Sequence, residues 1–444
     1  MFWFLYNLLF HLVYLLMLPH FLLRMRRRGG YRKGFGQRLF RLSDAERVRL
    51  SACLSRHSET AREGRKLWVH AVSVGELSVG LAFMKTWRER FPDTSFLLTV
   101  NTSTAHKLAE EKLDVRDVLL YPPLDSPGVI RKMLRSVDLQ GLVLVETEMW
   151  PNLLRQLKAK GVPVMLLNGR VSDRSFRRLQ KVPFYTRRLY PLVSLYAVQS
   201  EEDAERVKTL GAPAERVRVM HSAKYDVAVR NPEEEMRRVR RLRETGFLED
   251  GSRVLLGSST WPGEEKVLMD FFKDQRERFP DLRLILVPRH FERRGEVLVE
   301  AEVCGLRAVC WSAAVDADLG EADVLLVDTT GELMHFTGLA DLVFVGKSLF
   351  RREGQNPLEA AYAGKFVVTG TGMDNFRRIM QDLQSASAVR VAQSPEELGR
   401  ILSAALTDRQ EARAQGERAG ALVQARKGSL QRSVEAFSAL LEKH

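Results

Sequence analysis

Cysteine is scarce: Cys53, Cys304 and Cys310 are all there are in 444 residues. Their number is odd and no two stand in a CxxC spacing. That argues against a disulfide framework, a redox pair or a cysteine-based metal site, and for reduced thiols in a cytosolic compartment. Glycine fingerprints are missing too. Neither half of the chain has GxGxxG after its first strand, so no dinucleotide site is read. Val345-Gly346-Lys347-Ser348 imitates the end of a phosphate-binding loop, but the Gly required five positions before Gly346 is Asp341. The residues between are strand-like, so a Walker site is rejected. There is no low-complexity tract, no convincing sequence repeat and no metal-ligand set. A cleaved signal peptide would put its positive charge before the apolar run and small residues after it. Here the order is reversed, because residues 2–18 are almost wholly apolar and Arg24-Met25-Arg26-Arg27-Arg28 follows them.

What the chain does have is basic charge. The net charge is +13, which favours an acidic partner: nucleic acid, anionic lipid or a phosphorylated substrate. Hydrophobic content of 45% and charged content of 28% fit a folded protein, and the length suggests two domains. The N-terminal apolar run is borderline for a full span, which needs about 20 residues. Arg26–Arg28, Arg32 and Lys33 would rest on anionic headgroups, each worth ~1 kcal/mol. The positive-inside bias puts everything after residue 24 in the cytoplasm. Residues 1–28 are therefore expected to form a membrane anchor, either spanning the bilayer or lying in it, with a buried core helix as the alternative.

From about residue 65 short apolar strands alternate with amphipathic helices, the pattern of βαβ units and a parallel sheet. Strands are expected at 67–73, 96–100, 117–121, 141–146, 163–168, 194–198 and 216–220. The segment 229–251 reads as a charged connector with a solvated helix. The pattern then restarts, with strands at 253–258, 283–287, 323–328, 341–346 and 366–370. The expected architecture is α/β, with two Rossmann-like domains facing a cleft: residues 29–228 and residues 229–444.

Open α/β sheets bind ligands at the carboxyl ends of their strands, and several strings fall there. Glu76 ends a small-residue turn and opens a helix; a charge complementing the helix dipole is the plainer reading of it. Glu146 and Glu148, two apart at the end of GLVLVE, would share one face of the strand. Lys224 follows the last strand of the first half. Pro288-Arg289-His290 ends LRLILV, where an Arg fork suits a phosphate. Gly331-Glu332-Leu333 and Asn356-Pro357-Leu358-Glu359 open helices whose free N–H groups favour an anion, and Glu359 can accept hydrogen bonds from ribose hydroxyls. Three such loops with an Arg and a Glu look like a nucleotide site.

At these residues the chain resembles the Kdo (3-deoxy-D-manno-octulosonic acid) transferases of Gram-negative bacteria. The matching strings, in order, are YRKGFGQR (31–38), SVGE (73–76), ETEMWPN (146–152), GSSTWPGEE (257–265), VPRH (287–290), DTTGEL (328–333), ADLVFVG (340–346) and NPLEAA (356–361). The resemblance implies the GT-B glycosyltransferase fold, with the acceptor taken by the first half and the nucleotide by the second. It implies inverting transfer of Kdo from CMP-Kdo to a lipid A precursor of lipid IVA type, at the cytoplasmic face of the inner membrane. Glu76 then resembles the catalytic base, and Glu146 and Lys224 the groups that stabilise the transition state. Pro288, Arg289, Gly331, Glu332, Leu333, Asn356, Pro357, Leu358 and Glu359 resemble the CMP-binding set. No cofactor, metal or nucleic acid is expected; anionic lipid is the remaining partner. The chain departs from the pattern in three places: Arg352-Glu353-Gly354-Gln355 replaces a glycine-rich lead, Gly346-Lys347-Ser348 replaces Gly-Gly-Ser, and His221 stands where a Gly is usual. A different nucleotide-sugar transferase of the same fold, or a membrane-attached nucleotide-binding protein without turnover, are the alternatives.

Overall fold

Strands made of consecutive apolar residues are buried on both faces and belong to parallel sheets covered by helices. The computed structural model describes residues 2–28, 34–54, 64–227, 232–313 and 319–443. In it β1 (Lys66–Ala71), β2 (Ser95–Val100), β3 (Val118–Leu120), β4 (Gly141–Val145), β5 (Val164–Gly169), β6 (Leu195–Val198) and β7 (Val217–Val219) form one sheet, ordered β3-β2-β1-β4-β5-β6-β7. A second sheet holds β8 (Arg253–Thr260), β9 (Leu282–Pro288), β10 (Ala308–Cys310), β11 (Val324–Leu326), β12 (Leu342–Val345), β13 (Phe366–Gly370) and β14 (Arg390–Ala392), ordered β10-β11-β9-β8-β12-β13-β14. Every pairing is parallel. All twelve expected strands are present. The edge strands β10 and β14 were not expected.

The chain divides into two compact units, Met1–Val227 with Gly428–His444, and Ala228–Lys427. The expected second domain ran to residue 444, and the structure corrects this. The helix Ser429–Leu441 packs on the first unit, burying Leu430, Val434 and Phe437 beside Trp87 and Phe83. The Phe437 and Trp87 rings lie 6.1 Å apart. A side chain at Gly141 would come within 2.8 Å of the Phe437 ring, so the start of β4 is shaped to receive that helix. Its first turn is tied to the loop after β7: Asp226 accepts the N–H of Gly428 (2.7 Å) and Leu430 (2.8 Å), Ser429 Oγ donates to the His221 carbonyl (2.9 Å), and Arg432 donates to the Met220 carbonyl (2.8 Å).

The connector expected to be solvated is also corrected. Its helix, Pro232–Glu244, buries Glu235 and Leu242 and packs on the helix Leu333–Leu339 of its own unit. Residues 29–33, at the expected start of the first domain, lie outside the described residues, as does 228–231.

The N-terminal segment is a helix, Phe2–Arg28, with Pro19 inside it. One face rests on the first unit. Tyr6 stacks on Tyr185 (6.2 Å), Phe2 meets Phe184 edge-on (6.1 Å), Arg155 lies over the Trp3 ring, and Asn152 donates to the Asn7 side chain (2.8 Å). The other face exposes Phe4, Leu5, Leu8, Leu9, Leu12, Val13, Leu15 and Leu16. Among the described residues no helix is long and apolar enough to cross a membrane. The spanning form of the expected anchor is not what the chain builds: Pro19 and the polar Asn7 and His11 interrupt the run, and an aromatic face is spent on the fold.

Candidate active site

Each sheet has a topological switch point, where neighbouring strands lead to connections on opposite faces and a crevice opens at their carboxyl ends. In the first sheet it lies between β1 and β4, and in the second between β8 and β12. The candidate residues sort onto these two places, and each unit is described by itself.

In the first unit β1 ends at Ala71, and Ser73 caps the helix Val74–Arg90. The Glu76 N–H donates to Ser73 Oγ (3.3 Å), while the Glu76 carboxylate accepts from the Val72 N–H (2.7 Å) and the Ser73 hydroxyl (3.2 Å). This is a variant of the capping box in which the carboxylate takes the N–H of the residue before the cap, so Glu76 has a structural task as well. Burial nevertheless pushes its carboxyl up to about 7, against the hydrogen bonds from Val72 and Ser73 and with the help of the nearby negative charges of Glu146 and Glu148. A carboxyl of that pKa changes charge in the range where a general base works best.

Glu146 follows β4 in a left-handed conformation (φ 64°), which ends the strand's alternation. The expectation that Glu146 and Glu148 share a face is therefore corrected. Glu148 accepts from the Trp150 indole (2.9 Å), whereas Glu146 turns towards β5 and the loop after β7. There Lys224 Nζ lies 3.1 Å from Glu146 Oε1, and the Asn168 side chain donates to the same oxygen at 3.3 Å. The structure thus brings Glu146 and Lys224 into contact and sets the negative charge of Glu146 near Glu76. His70, near the end of β1, is buried: its ring is held neutral, its pKa drawn down to about 4 by burial, its Nδ1 lies 2.8 Å from Thr99 Oγ1, and it packs edge-on against Trp150.

In the second unit β9 ends at Pro288, and the exposed Arg289 is fixed by its N–H to the Thr260 carbonyl (3.0 Å). Glu359 is pushed up to about 7 by burial, opposed by a hydrogen bond from Asn356 and by the charge of Arg289. Arg289, Asn356 and Glu359 are thereby one neighbourhood. Pro357 and Leu358 are buried and shape the turn rather than present side chains. Gly331 takes φ 85° and Leu333 opens a helix. Glu332 is held by three hydrogen bonds of 3.0–3.1 Å from Arg238, so its carboxylate is already paired. The helices that open at these loops, Leu333–Leu339 and Leu358–Tyr362, are short, so anion attraction here falls more to Arg289 than to helix dipoles.

The sequence reading missed Asn168 and Glu264. Glu264 is 1% exposed, and its carboxylate accepts the N–H groups of Trp261, Lys347, Ser348 and Leu349 at 2.7–3.0 Å. The amides that a Walker loop would turn to a phosphate are therefore given to a side chain, in keeping with the rejection of that motif. Gly346 is required in this packing, because a side chain there would come within 2.6 Å of the Ser259 carbonyl. Among the described residues no cluster of His, Cys, Asp and Glu is arranged to hold a metal ion.

Comparison with known proteins bears on both units. A family model described as 3-deoxy-D-manno-octulosonic-acid transferase (kdotransferase) matches residues 34–227. The chain is 28% identical over 382 residues to a 3-deoxy-D-manno-octulosonic acid transferase of Haemophilus influenzae, covering 85% of this chain and 88% of that protein. It is 32% identical over 330 residues to the transferase of the same name from Bordetella pertussis, covering 72% and 75%. The crystal structure of Anabaena HepE in complex with UDP aligns at a TM-score of 0.53 with 15% identity, over 84% of this chain and 100% of that one, a likeness of fold alone.

Proposed function

Because the chain belongs to the 3-deoxy-D-manno-octulosonic acid transferase family, we propose that it transfers Kdo from CMP-Kdo to the hydroxyl of a lipid A precursor of lipid IVA type, with inversion at the anomeric carbon. The observation that carries the chemistry is the first switch point, where Glu76, poised near neutrality, stands within electrostatic reach of Glu146, which Lys224 pairs.

In this reading Glu76 takes the proton of the attacking acceptor hydroxyl, a contribution of ~10²–10⁴-fold. The new bond forms to the anomeric carbon as its bond to the CMP oxygen breaks, and CMP departs with the electron pair. Glu146 stabilises the oxocarbenium character that develops at the sugar carbon. Lys224 pairs with Glu146, and Arg289 is the cation suited to the charge of the leaving phosphate. Glu359 and Asn356 take the ribose. No cofactor enters this scheme.

The exposed apolar face of Phe2–Arg28 supports a place for the protein on the inner membrane. Eight large apolar side chains on one face of a helix docked by its other face suit an in-plane position at the bilayer surface rather than a span. The basic residues that follow suit anionic headgroups, and a cytoplasmic-face location suits a lipid acceptor. The deciding experiment incubates the full chain with CMP-Kdo and a tetra-acylated lipid A precursor and reads products by mass spectrometry. Mass additions of one or more Kdo support the reading. Turnover only with UDP- or GDP-sugars, or CMP binding without product, refutes it.

A further inference from the structure

Three non-glycine residues in left-handed backbone lie at the carboxyl ends of strands on one side of the first sheet: Glu146 after β4 (φ 64°), Asn168 in β5 (φ 56°) and His221 after β7 (φ 66°). Such residues are uncommon outside glycine, and they persist where surrounding structure enforces them. Asn168 is what joins the three places. Its side-chain N–H donates to Glu146 Oε1 (3.3 Å), its side-chain oxygen accepts the N–H of Ala223 (2.9 Å), and its backbone carbonyl accepts the Gln199 side chain (2.9 Å). It is 1% exposed. Ala223 directly precedes Lys224, so one amide fixes both the carboxylate and the chain segment that carries its cationic partner.

The terminal torsion of a Glu side chain is broad, so a carboxylate is not aimed by its rotamer alone. Two donors on one oxygen aim it, and here these are Asn168 and Lys224. We propose that Asn168 is a positioning residue for the transfer, orienting Glu146 and holding Lys224 in register with it. The reaction it serves is the Kdo transfer proposed above, and the assignment rests on that reading. A neutral amide is the group this place demands. It must donate to a carboxylate on one side and accept from a backbone N–H on the other, which a hydroxyl or a carboxylate there cannot do with the same shape. Asparagine is also among the few side chains that tolerate left-handed backbone.

Two substitutions separate the side chain from the backbone. Asn168→Gly suits φ 56° and loses both side-chain bonds. Asn168→Asp keeps the shape and the acceptor for Ala223 but sets a second carboxylate against Glu146. Both are expected to lower kcat by about ten- to a hundredfold, the range for a lost hydrogen bond to a charged group, with Asp the more damaging. KM for CMP-Kdo and CMP affinity stay near wild type; Tm drops by a few degrees in Asn168→Gly, which leaves the Ala223 N–H without its acceptor, and less in Asn168→Asp, which keeps it. Either variant retaining more than half of wild-type kcat overturns the assignment, and so does a loss of kcat matched by a loss of Tm in both. A second readout does not depend on turnover: acetylation of Lys224 by a soluble acylating reagent, followed by peptide mass spectrometry. Release of Glu146 should raise the Lys224 labelling rate severalfold in Asn168→Gly, whereas the added carboxylate of Asn168→Asp should keep the ammonium protonated and lower it; unchanged labelling in either variant overturns the proposal. Wild-type protein that transfers no Kdo refutes the functional reading instead, and the labelling experiment still decides the role of Asn168.

Discussion

Replacing Glu76 by Gln tests the base through two independent quantities. The carboxyl stands at about 7 in the folded chain against an ordinary 4.5, chiefly because it is withdrawn from water. Below about pH 4.5 it is protonated in both folded and unfolded chains, and no cost arises. As pH rises from there to about 7 the unfolded chain gives up this proton first, so the folded state loses stability, and above about 7 the loss is complete. At ~1.36 kcal/mol for each tenfold change in proton affinity the ceiling is about 3.4 kcal/mol. Glu76 is only half-buried, and solvent screening brings the expected figure to about 1–2 kcal/mol. Glu76→Gln should therefore melt with the wild type at pH 4.5 and a few degrees above it at pH 8. Taking the difference between the two proteins at each pH cancels every group they share, including Glu359 and Asp125, which burial also pushes up to about 7. In the same range kcat/KM of the wild type should rise with pH on a limb centred near 7, while the variant falls by ~10²–10⁴ in rate with CMP affinity intact. Scanning fluorimetry and initial rates across pH 4.5–8.5 supply both curves. A rate limb near 4–5, a variant with more than a tenth of wild-type rate, or a melting difference that does not grow with pH refutes the reasoning.

Arg289→Ala and Glu359→Ala should each weaken CMP binding by ~1.5–3 kcal/mol, measured by calorimetry; unchanged affinity in both removes them from the nucleotide site. Asp226→Ala removes the acceptor of two N–H groups at the start of the C-terminal helix and should cost ~1–3 kcal/mol while lowering kcat through the Lys224 loop, read by melting and by single-turnover rates; stability and rate both at wild-type level dismiss the tie. Deleting residues 2–28 should abolish flotation with anionic liposomes in high salt, where exposed charges are screened over ~10 Å or less, and leave circular dichroism of the α/β core unchanged. Full flotation of the truncated protein dismisses the helix as the membrane contact.

The sheets were legible because parallel strands are continuous apolar runs, and the carboxyl ends of those runs mark where chemistry gathers. Glu76, Glu146, Arg289 and Glu359 were singled out on that rule, and Lys224 by the family resemblance. Their partners were not. Asn168 ends a strand as one polar residue among apolar ones, and nothing in VMLLNG says that its amide reaches a loop 55 residues away. Glu148 was misplaced because a left-handed Glu146 breaks the strand's period, and φ is not written in the sequence. Glu332 looked like a free acid at a helix start, since its Arg238 partner lies 94 residues earlier. The C-terminal helix showed its apolar face but not which unit would receive it.

That helix changes how the chain can be taken apart. The first unit is built from two stretches of sequence, and the chain passes between the units twice, at residues 227–228 and 427–428. A hybrid made with one crossover near residue 228 would import a foreign final helix, whose side chain at the position of Phe437 must fit the space above Gly141 and whose first turn must satisfy Asp226. A hybrid with two crossovers, replacing only Ala228–Lys427, keeps the native clamp on the Lys224 loop. Exchange of the Ala228–Lys427 unit among relatives is thus an insertion problem rather than a tail swap, and sequence drift in the last seventeen residues should track the first unit, not the one that precedes it in the chain.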